Sequence, residues 1–402
     1  MCIPLLMTGM LMSEEVLTLE ECIDLACSGN TSIRSKQLSA DIAASRSRES
    51  FSPLMPHISV SSGLGSGDAG GWEPHANVGL SAGLTLYTPG LYSGIRSSKI
   101  NRDIQEISVI GAENDVISQV CQIYYKLLGT RKMIKVYEAN IELAEENLRK
   151  TRSMYQQRVV TESDVLKSEA QKGDFESQLL LQKQLYLNYQ RTMNVLFNRD
   201  VNTVFQVADV DVDTIDIPAF DVALDLMLKQ NPDYEALRLQ EEISKILLQS
   251  SKEAYLPSLT GSYSYTNQFD PLIDPANSVH LTASWTLFNG LSRREQVQQR
   301  KLQLEQTRID IAGTTRVLEQ QLRDLYTQFD TYTSMIDINK RRLQSARRDF
   351  EIVNQQYQIG RVTILDRMQA QISVLSAEST LLEAQYSRKI VESEILKLIN
   401  NI

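Results

Sequence analysis

Two hydrophobic spacings share the chain, one with the period of a strand and one with the period of a packed helix. Between 76 and 86 every even position is apolar (Ala76, Val78, Leu80, Ala82, Leu84, Leu86), and the odd positions between are polar or glycine. The pattern returns at Val279, Leu281, Ala283, Trp285 and Leu287. Period-two alternation predicts strands at about 76–87 and 279–288, with partners at about 57–67 and 258–267 that carry more glycine, serine and tyrosine. Strands of this length match what crosses a bilayer in a tilted barrel. A hairpin half-buried on a soluble core would show the same alternation.

The helical spacing is longer. Residues 93–156 and 292–358 contain no proline. At about 1.5 Å per residue the first stretch would span roughly 95 Å. In the second, Leu322, Leu325, Phe329, Tyr332, Ile336, Asn339, Leu343, Ala346, Phe350, Val353 and Tyr357 alternate steps of three and four. Subtracting 202 from each gives Val120, Ile123, Leu127, Thr130, Ile134, Tyr137, Ile141, Ala144, Leu148, Thr151 and Tyr155, the same ladder in the first half. Such ladders are coiled-coil seams. Each long helix leads through a short turn, at 158–161 or 359–363, into a return helix, so each half holds one helical hairpin, at about 93–197 and about 292–400.

The duplication covers the whole chain. At an offset of 201, Asn30 and Ile33 match Asn231 and Tyr234, Leu54 and Pro56 match Tyr255 and Pro257, and Leu86 and Tyr87 match Leu287 and Phe288. The expected organisation is a first repeat at 17–198, a linker at 199–218 and a second repeat at 219–400. Residues 1–12 are apolar and stop at Ser13-Glu14-Glu15, like the core of a truncated signal peptide. One chain offers four strands, whereas a closed membrane barrel has at least about eight. Several chains must therefore pool their hairpins into one ring, a β-barrel continuous with a helical barrel.

Composition narrows the function. With 50 Asp and Glu against 41 Lys and Arg, the chain lacks the basic footprint of a nucleic-acid binder. Its three histidines, His57, His75 and His280, have no partner at metal spacing, which leaves them structural roles. Four cysteines suggest no disulfide framework, because the five-residue spacing of Cys22 and Cys27 on a helix turns their side chains apart. Gly65-Ser66-Gly67-Asp68-Ala69-Gly70 fits a dinucleotide string but leads into a strand, and reads as an exposed hairpin loop, as does 267–278. Asp209, Asp211 and Asp213 begin like a calcium loop, but Thr214 stands where the turn glycine belongs and Phe220 where the bidentate acid should be. No catalytic, cofactor or metal constellation appears, and an enzyme is not expected. Arg341, Arg342, Arg347 and Arg348 interleave with seam residues and read as a solvated or inter-helix face, placed to meet acids such as Glu142, Glu145 and Glu146 on a neighbour.

From about 17 to 400 the chain resembles the TolC family of outer-membrane efflux proteins. The resemblance is carried by Asn30 and Asn231 at duplicated helix starts, by the Leu54 and Tyr255 motifs ahead of the strands, and by the strand ends before Gly90 and Gly290. Most specific is Tyr357-x-x-Gly360-x-x-Thr363-x-x-Asp366 before a helix rich in Gln, Ala and Leu. The resemblance implies a mainly α fold with β, in which a homotrimer builds a twelve-stranded barrel in the outer membrane above a periplasmic α-barrel. It implies a passive exit duct for efflux or type I secretion that docks on an inner-membrane pump through a periplasmic adaptor. It also implies a gate at the periplasmic tip, carried here by Asp164, Tyr357, Gly360, Arg361, Asp366 and Gln369. Asp366 matches an acidic constriction ring. Gln369 replaces a second acid, so a trimer would display one carboxylate ring instead of two. Arg361 is displaced by one place from the family's basic partner, and Arg158 replaces the turn glycine of the first repeat. Asp164 and Asp366 also suit plain helix capping. Tyr87, Tyr92, Trp285 and Phe288 cluster where strands give way to helices, as membrane-interface aromatics or as junction packing. The competing reading is a periplasmic coiled-coil adaptor without a pore.

Overall fold

The computed structural model describes residues 15–68, 72–212, 217–269 and 272–401. The apolar leader at 1–12, the glycine-loop residues Ala69 and Gly70, and Asp213 and Thr214 of the calcium-like run lie outside them. In chain order the elements are β1 (Glu15–Leu17), α1 (Leu19–Gly29), α2 (Thr31–Glu49), β2 (His57–Asp68), β3 (Trp72–Tyr87), α3 (Leu91–Gln156) and α4 (Glu162–Leu196). Then follow β4 (Phe205–Val207), α5 (Phe220–Gln230), α6 (Pro232–Glu253), β5 (Ser258–Phe269), β6 (Leu272–Ser284), α7 (Ser292–Gln358) and α8 (Ile364–Leu398). They form two compact units, and neither follows the sequence repeats: one takes residues up to 34, 112–231 and 318–402, the other 35–111 and 232–317.

The first unit is helical. Its core gathers Val120, Tyr124, Leu127 and Leu128 of α3, Met193 of α4 and Phe197 that caps it, Tyr386 of α8 and Cys22 and Ala26 of α1. Every residue of the second heptad ladder is buried or half-buried, and in the first ladder only Tyr155, at the tip, is exposed. The duplicated asparagines do duplicated work. Asn30 closes α1, and its amide donates to the Leu196 carbonyl at the end of α4 at 3.2 Å. Asn231 closes α5 and donates to the Leu398 carbonyl at the end of α8 at 3.0 Å. Each repeat thus ties the end of its return helix to the end of its first short helix.

The span expected as a surface linker is held instead. β4 pairs in parallel with β1, and Phe205 and Val207 are fully buried. Tyr124 donates to the Ala208 carbonyl at 2.8 Å, Gln190 to Phe205 at 2.6 Å and Arg388 to Val212 at 2.6 Å. Arg131 reaches the Val207 carbonyl and pairs with Asp209 at 2.5 Å, with Lys132 on the same carboxylate oxygen at 3.2 Å. Asp209 is therefore a tether of the linker. A three-residue strand whose partner lies nearly two hundred residues away leaves no periodic signal to read.

The second unit carries one antiparallel sheet in the order β2-β3-β5-β6. Its strands outrun the alternation. β3 begins at Trp72, four residues early, because β2 keeps pairing through its glycines as far as Asp68. β6 runs from Leu272 to Ser284 instead of 279–288, so the supposed loop at 267–278 is mostly ladder and Trp285 to Phe288 lie beyond the strand. The reason is a bulge. Thr266 faces Ala276 and Gln268 faces Ile273, which sets Asp274 and Pro275 against the single residue Asn267. A bulge on an edge strand is where proline is tolerated, and it breaks the period that reveals a strand.

The register sorts the sheet into two faces. Leu64, Val60 and Ile58 share one face with Val78, Leu80 and Ala82, then Tyr263 and Tyr265, then Val279 and Leu281. The other face is serine, threonine, glycine, asparagine and histidine, and on it Ser59 bonds Ser81 and Ser264 bonds Ser278, each at 2.7 Å. The apolar face is bare: Leu64 is 90% exposed and Val279 79%.

Within the helical unit α3 packs tightly on α8 at Gly129, where an added Cβ would lie 3.1 Å from the Tyr386 ring. Gly129→Val is expected to destabilise the protein by roughly 1–3 kcal/mol through overpacking, read as a lower urea midpoint with an unchanged slope.

Candidate gate at the hairpin tips

The two hairpin turns are built alike. After α3, Arg158 adopts a left-handed backbone (φ 60°), and the Val159 N–H reaches back to the Met154 carbonyl at 2.9 Å. After α7, Gly360 does the same (φ 73°), and the Arg361 N–H reaches the Gln356 carbonyl at 2.9 Å. Both are left-handed C-terminal caps that consume orphan carbonyls. Glycine adopts that backbone freely; Arg158 is strained by its Cβ. The return helices then start on capping boxes. The Asp164 carboxylate accepts from the Thr161 hydroxyl at 2.8 Å and the Thr161 N–H at 3.0 Å. Asp366 accepts from the Thr363 hydroxyl at 2.6 Å and the Thr363 N–H at 2.8 Å, and its own N–H donates to that hydroxyl at 3.3 Å. These threonine bonds hold both carboxylates below the usual range. A depressed carboxylate supports the fold once pH exceeds its unfolded value, and that support is lost only as pH falls through the lower folded value. Both caps are thus fully charged at neutral pH.

The other proposed gate residues are not gathered into one network. Arg361 and Gln369 are exposed. Tyr357 is buried at 9% exposure, yet its hydroxyl has no partner among the described residues. What the structure brings to Tyr357 is Arg367, whose guanidinium carbon lies 5.8 Å from its ring centre and 5.6 Å from that of Phe350. Arg367 is 5% exposed, donates through Nε to the Asn354 side chain at 2.8 Å and leaves Nη1 without a partner. Burial lowers its pKa, while Tyr357 and Glu146 pull it back up. Sequence reading missed Arg367; its only signal is position, one helical turn after the cap at Thr363 and on the inward side that Ile364 and Ala370 share.

Around these turns the seam becomes polar. Asn147, Thr151, Ser168, Gln171 and Gln371 are all buried. Gln171 Nε2 and Gln371 Oε1 lack partners among the described residues, although Gln371 still donates to Asn140 at 3.1 Å. An unpaired buried polar group costs about 1–3 kcal/mol. The packing near the tips is therefore weaker than a fully paired or apolar seam would be. The arginines expected to face a neighbour find partners at home: Arg347 bonds Glu378 at 3.1 Å, Arg348 bonds Glu351 at 2.9 Å, and Arg342 donates to Ser376 at 3.1 Å.

At the strand-to-helix junctions Tyr87 is half-buried, while Tyr92, Trp285 and Phe288 are exposed. The Trp285 N–H donates to the Tyr255 carbonyl at 2.9 Å, and Arg293 stacks over the Tyr255 ring at 5.7 Å. No helix among the described residues is long and apolar enough to cross a membrane. No group of acids, histidines or cysteines among them could hold a metal ion.

Solved structures share this fold. The transmembrane channel CusC aligns with a TM-score of 0.87 at 15% identity, covering 95% of this chain and 91% of that one. The CmeC outer membrane channel of Campylobacter jejuni aligns at 0.84 with 20% identity, covering 95% and 85%. In sequence, the outer membrane protein TolC of Salmonella enteritidis is 21% identical over 382 residues, covering 89% of this chain and 77% of that one. The class is that of the outer-membrane efflux channels, with strands in the outer membrane and helices in the periplasm, and it is not an enzyme class. Within it, residues 223–401 match the model of the outer membrane efflux protein family, and the chain is similar to exit ducts of the TolC type. Proteins of this type are trimeric channels that work with efflux systems.

Arg158→Gly is expected to stabilise the first hairpin by roughly 0.5–1 kcal/mol, because the left-handed position no longer strains a side chain. Thermal unfolding of the two proteins side by side checks this.

Proposed function

We propose that three copies of this chain close one twelve-stranded barrel and conduct passively what a separate pump expels. The observation that carries this is the sheet: it has one bare apolar face, one hydroxyl-rich face, and edge strands β2 and β6 with no neighbour among the described residues. Lipid tolerates no open edge. β2 and β5 run one way and β3 and β6 the other, so β6 of one copy beside β2 of the next continues the antiparallel order, and three copies supply twelve strands. In this reading residues 1–12 are an export leader, the two repeats at 17–198 and 219–400 each give two strands and one hairpin, and Tyr87, Tyr92, Trp285 and Phe288 sit at the membrane interface. The partners are a periplasmic adaptor and an inner-membrane pump, which choose the substrate.

The gate is the set of hairpin tips, with Asp164 and Asp366 capping their helices and presenting carboxylates to the passage, Gly360 as the turn that moves and Tyr357 as the buried strut. Arg361 and Gln369, both exposed, face the neighbouring copies or the solvent. The polar, incompletely paired seam supports this placement, since separating the tips there breaks few strong contacts.

Purified protein in planar lipid bilayers is expected to conduct and to run as a heat-sensitive trimer on gels. Recovery from the soluble periplasm as a monomer without conductance would instead establish the adaptor reading. For the gate, Asp164→Ala combined with Asp366→Ala should raise conductance and weaken cation preference. Unchanged conductance and selectivity would leave both residues as helix caps alone.

A further inference from the structure

Two of the three histidines, far apart in sequence, share one rung of the sheet. His57 faces Gly83, Gly83 faces Ser262, and Ser262 faces His280. Directly opposed residues point to the same face, so His57 and His280 mark the two edges of the hydroxyl-rich face at one level. Both side chains are exposed. His75 is not on this rung; its backbone pairs with Gly65, toward the other end of the strands.

The rung is electrically isolated. His57 is flanked on its face by Ser59, Ser81 and Thr85, and His280 by Thr260, Ser264 and Thr282. The short helical turn Ser52–Leu54 that touches β3 carries no charge. Between 57 and 67, 76 and 87, 258 and 267, and 275 and 284 there is no Asp, Glu, Lys or Arg. The charged residues of these strands, Asp68, Glu73 and Asp274, lie toward the hairpin turns, and the tyrosines Tyr263 and Tyr265 are on the opposite face. Within one chain the two imidazoles, three strand spacings apart, stand about 14 Å from each other, too far to share a metal ion. The chemistry taken from them here is protonation. Histidine is the side chain whose charge ordinarily changes between pH 5 and 8.

We infer that His57 and His280 form a histidine collar on the wall of the pore, which sets its ion selectivity by pH. The inference rests on the closed-trimer reading, in which the hydroxyl-rich face lines the passage. Three copies place six imidazoles around an otherwise uncharged wall, on a band slanted by the stagger of the strands. Uncharged, the collar leaves passage to the carboxylates at the tips; protonated, it draws anionic solutes into the barrel and repels cations. Within a chain the two charges stand beyond the Debye length of about 10 Å at 0.1 M salt, so each acts on the ions that pass beside it.

The test is the zero-current potential of bilayer channels across a KCl gradient between pH 8.0 and 5.5, in the wild type and in the Asp164→Ala, Asp366→Ala background. That window stays above the carboxylate range, where Asp164 and Asp366 are held low, so the tips do not titrate within it. The chloride-to-potassium permeability ratio is expected to rise at least about twofold on acidification, as fixed positive charge appears on the wall. His57→Asn combined with His280→Asn should abolish the rise, and His75→Asn should keep it. Conducting channels whose ratio is flat with pH in both backgrounds, or whose rise survives the double histidine substitution, overturn the collar alone. Wild-type protein that forms no channel overturns the trimer reading, and the collar with it.

Discussion

A strand in lipid must give every backbone N–H and carbonyl a partner, and this chain supplies only four strands toward that end. The rest of the molecule follows from that deficit. The sheet keeps a hydrocarbon face bare and a hydroxyl face opposite, which is wasteful in a soluble protein and necessary in a barrel wall. Its outer strands run in opposite directions, so the edge that one chain leaves open is the edge another can close. The duplication serves the same requirement, because each half contributes one hairpin of strands and one hairpin of helices to a wall neither can complete.

The helices show how the passage can be both stable and movable. Around α1, α4 and the linker strand the seam is apolar and strongly tied: Tyr124, Leu127, Leu128 and Met193 are fully buried, and Arg131, Gln190 and Arg388 bind the linker backbone. Toward the tips the buried side takes in Asn147 and Thr151, and Arg367 is buried with only part of its hydrogen-bonding capacity used. A buried guanidinium held by one amide and two aromatic rings adds little stability and much orientation. Pairing therefore grades along the hairpins, from a tightly tied apolar core to a polar, partly unpaired seam at the tips.

Much of this was legible beforehand. The heptad ladders named the buried side of α3 and α7 almost residue by residue, because a coiled seam repeats over many turns and averages out exceptions. The capping role of Asp164 and Asp366 was readable, because a cap is made by residues a few positions apart, although the N-caps themselves fall on Thr161 and Thr363. The ends of the sheet were not: glycines in β2 and the bulge at Asn267 interrupt the alternation while the backbone ladder continues. Arg367 escaped because an arginine on a helix carries no mark of which way it faces, and its burial depends on Phe350, Asn354 and Tyr357 from another helix.

By itself, the sequence determined the periods, the duplication and the four-strand deficit, all of which are local or self-similar properties of the chain. It also set the chemistry of each face of the sheet through simple alternation. Only the tertiary structure decided that β1 and β4 pair across nearly the whole first repeat, that the linker is clamped, and that His57 and His280 stand on one rung. Those facts depend on register, which is a count of backbone hydrogen bonds between distant segments. A single bulge shifts that count without changing the pattern of either strand.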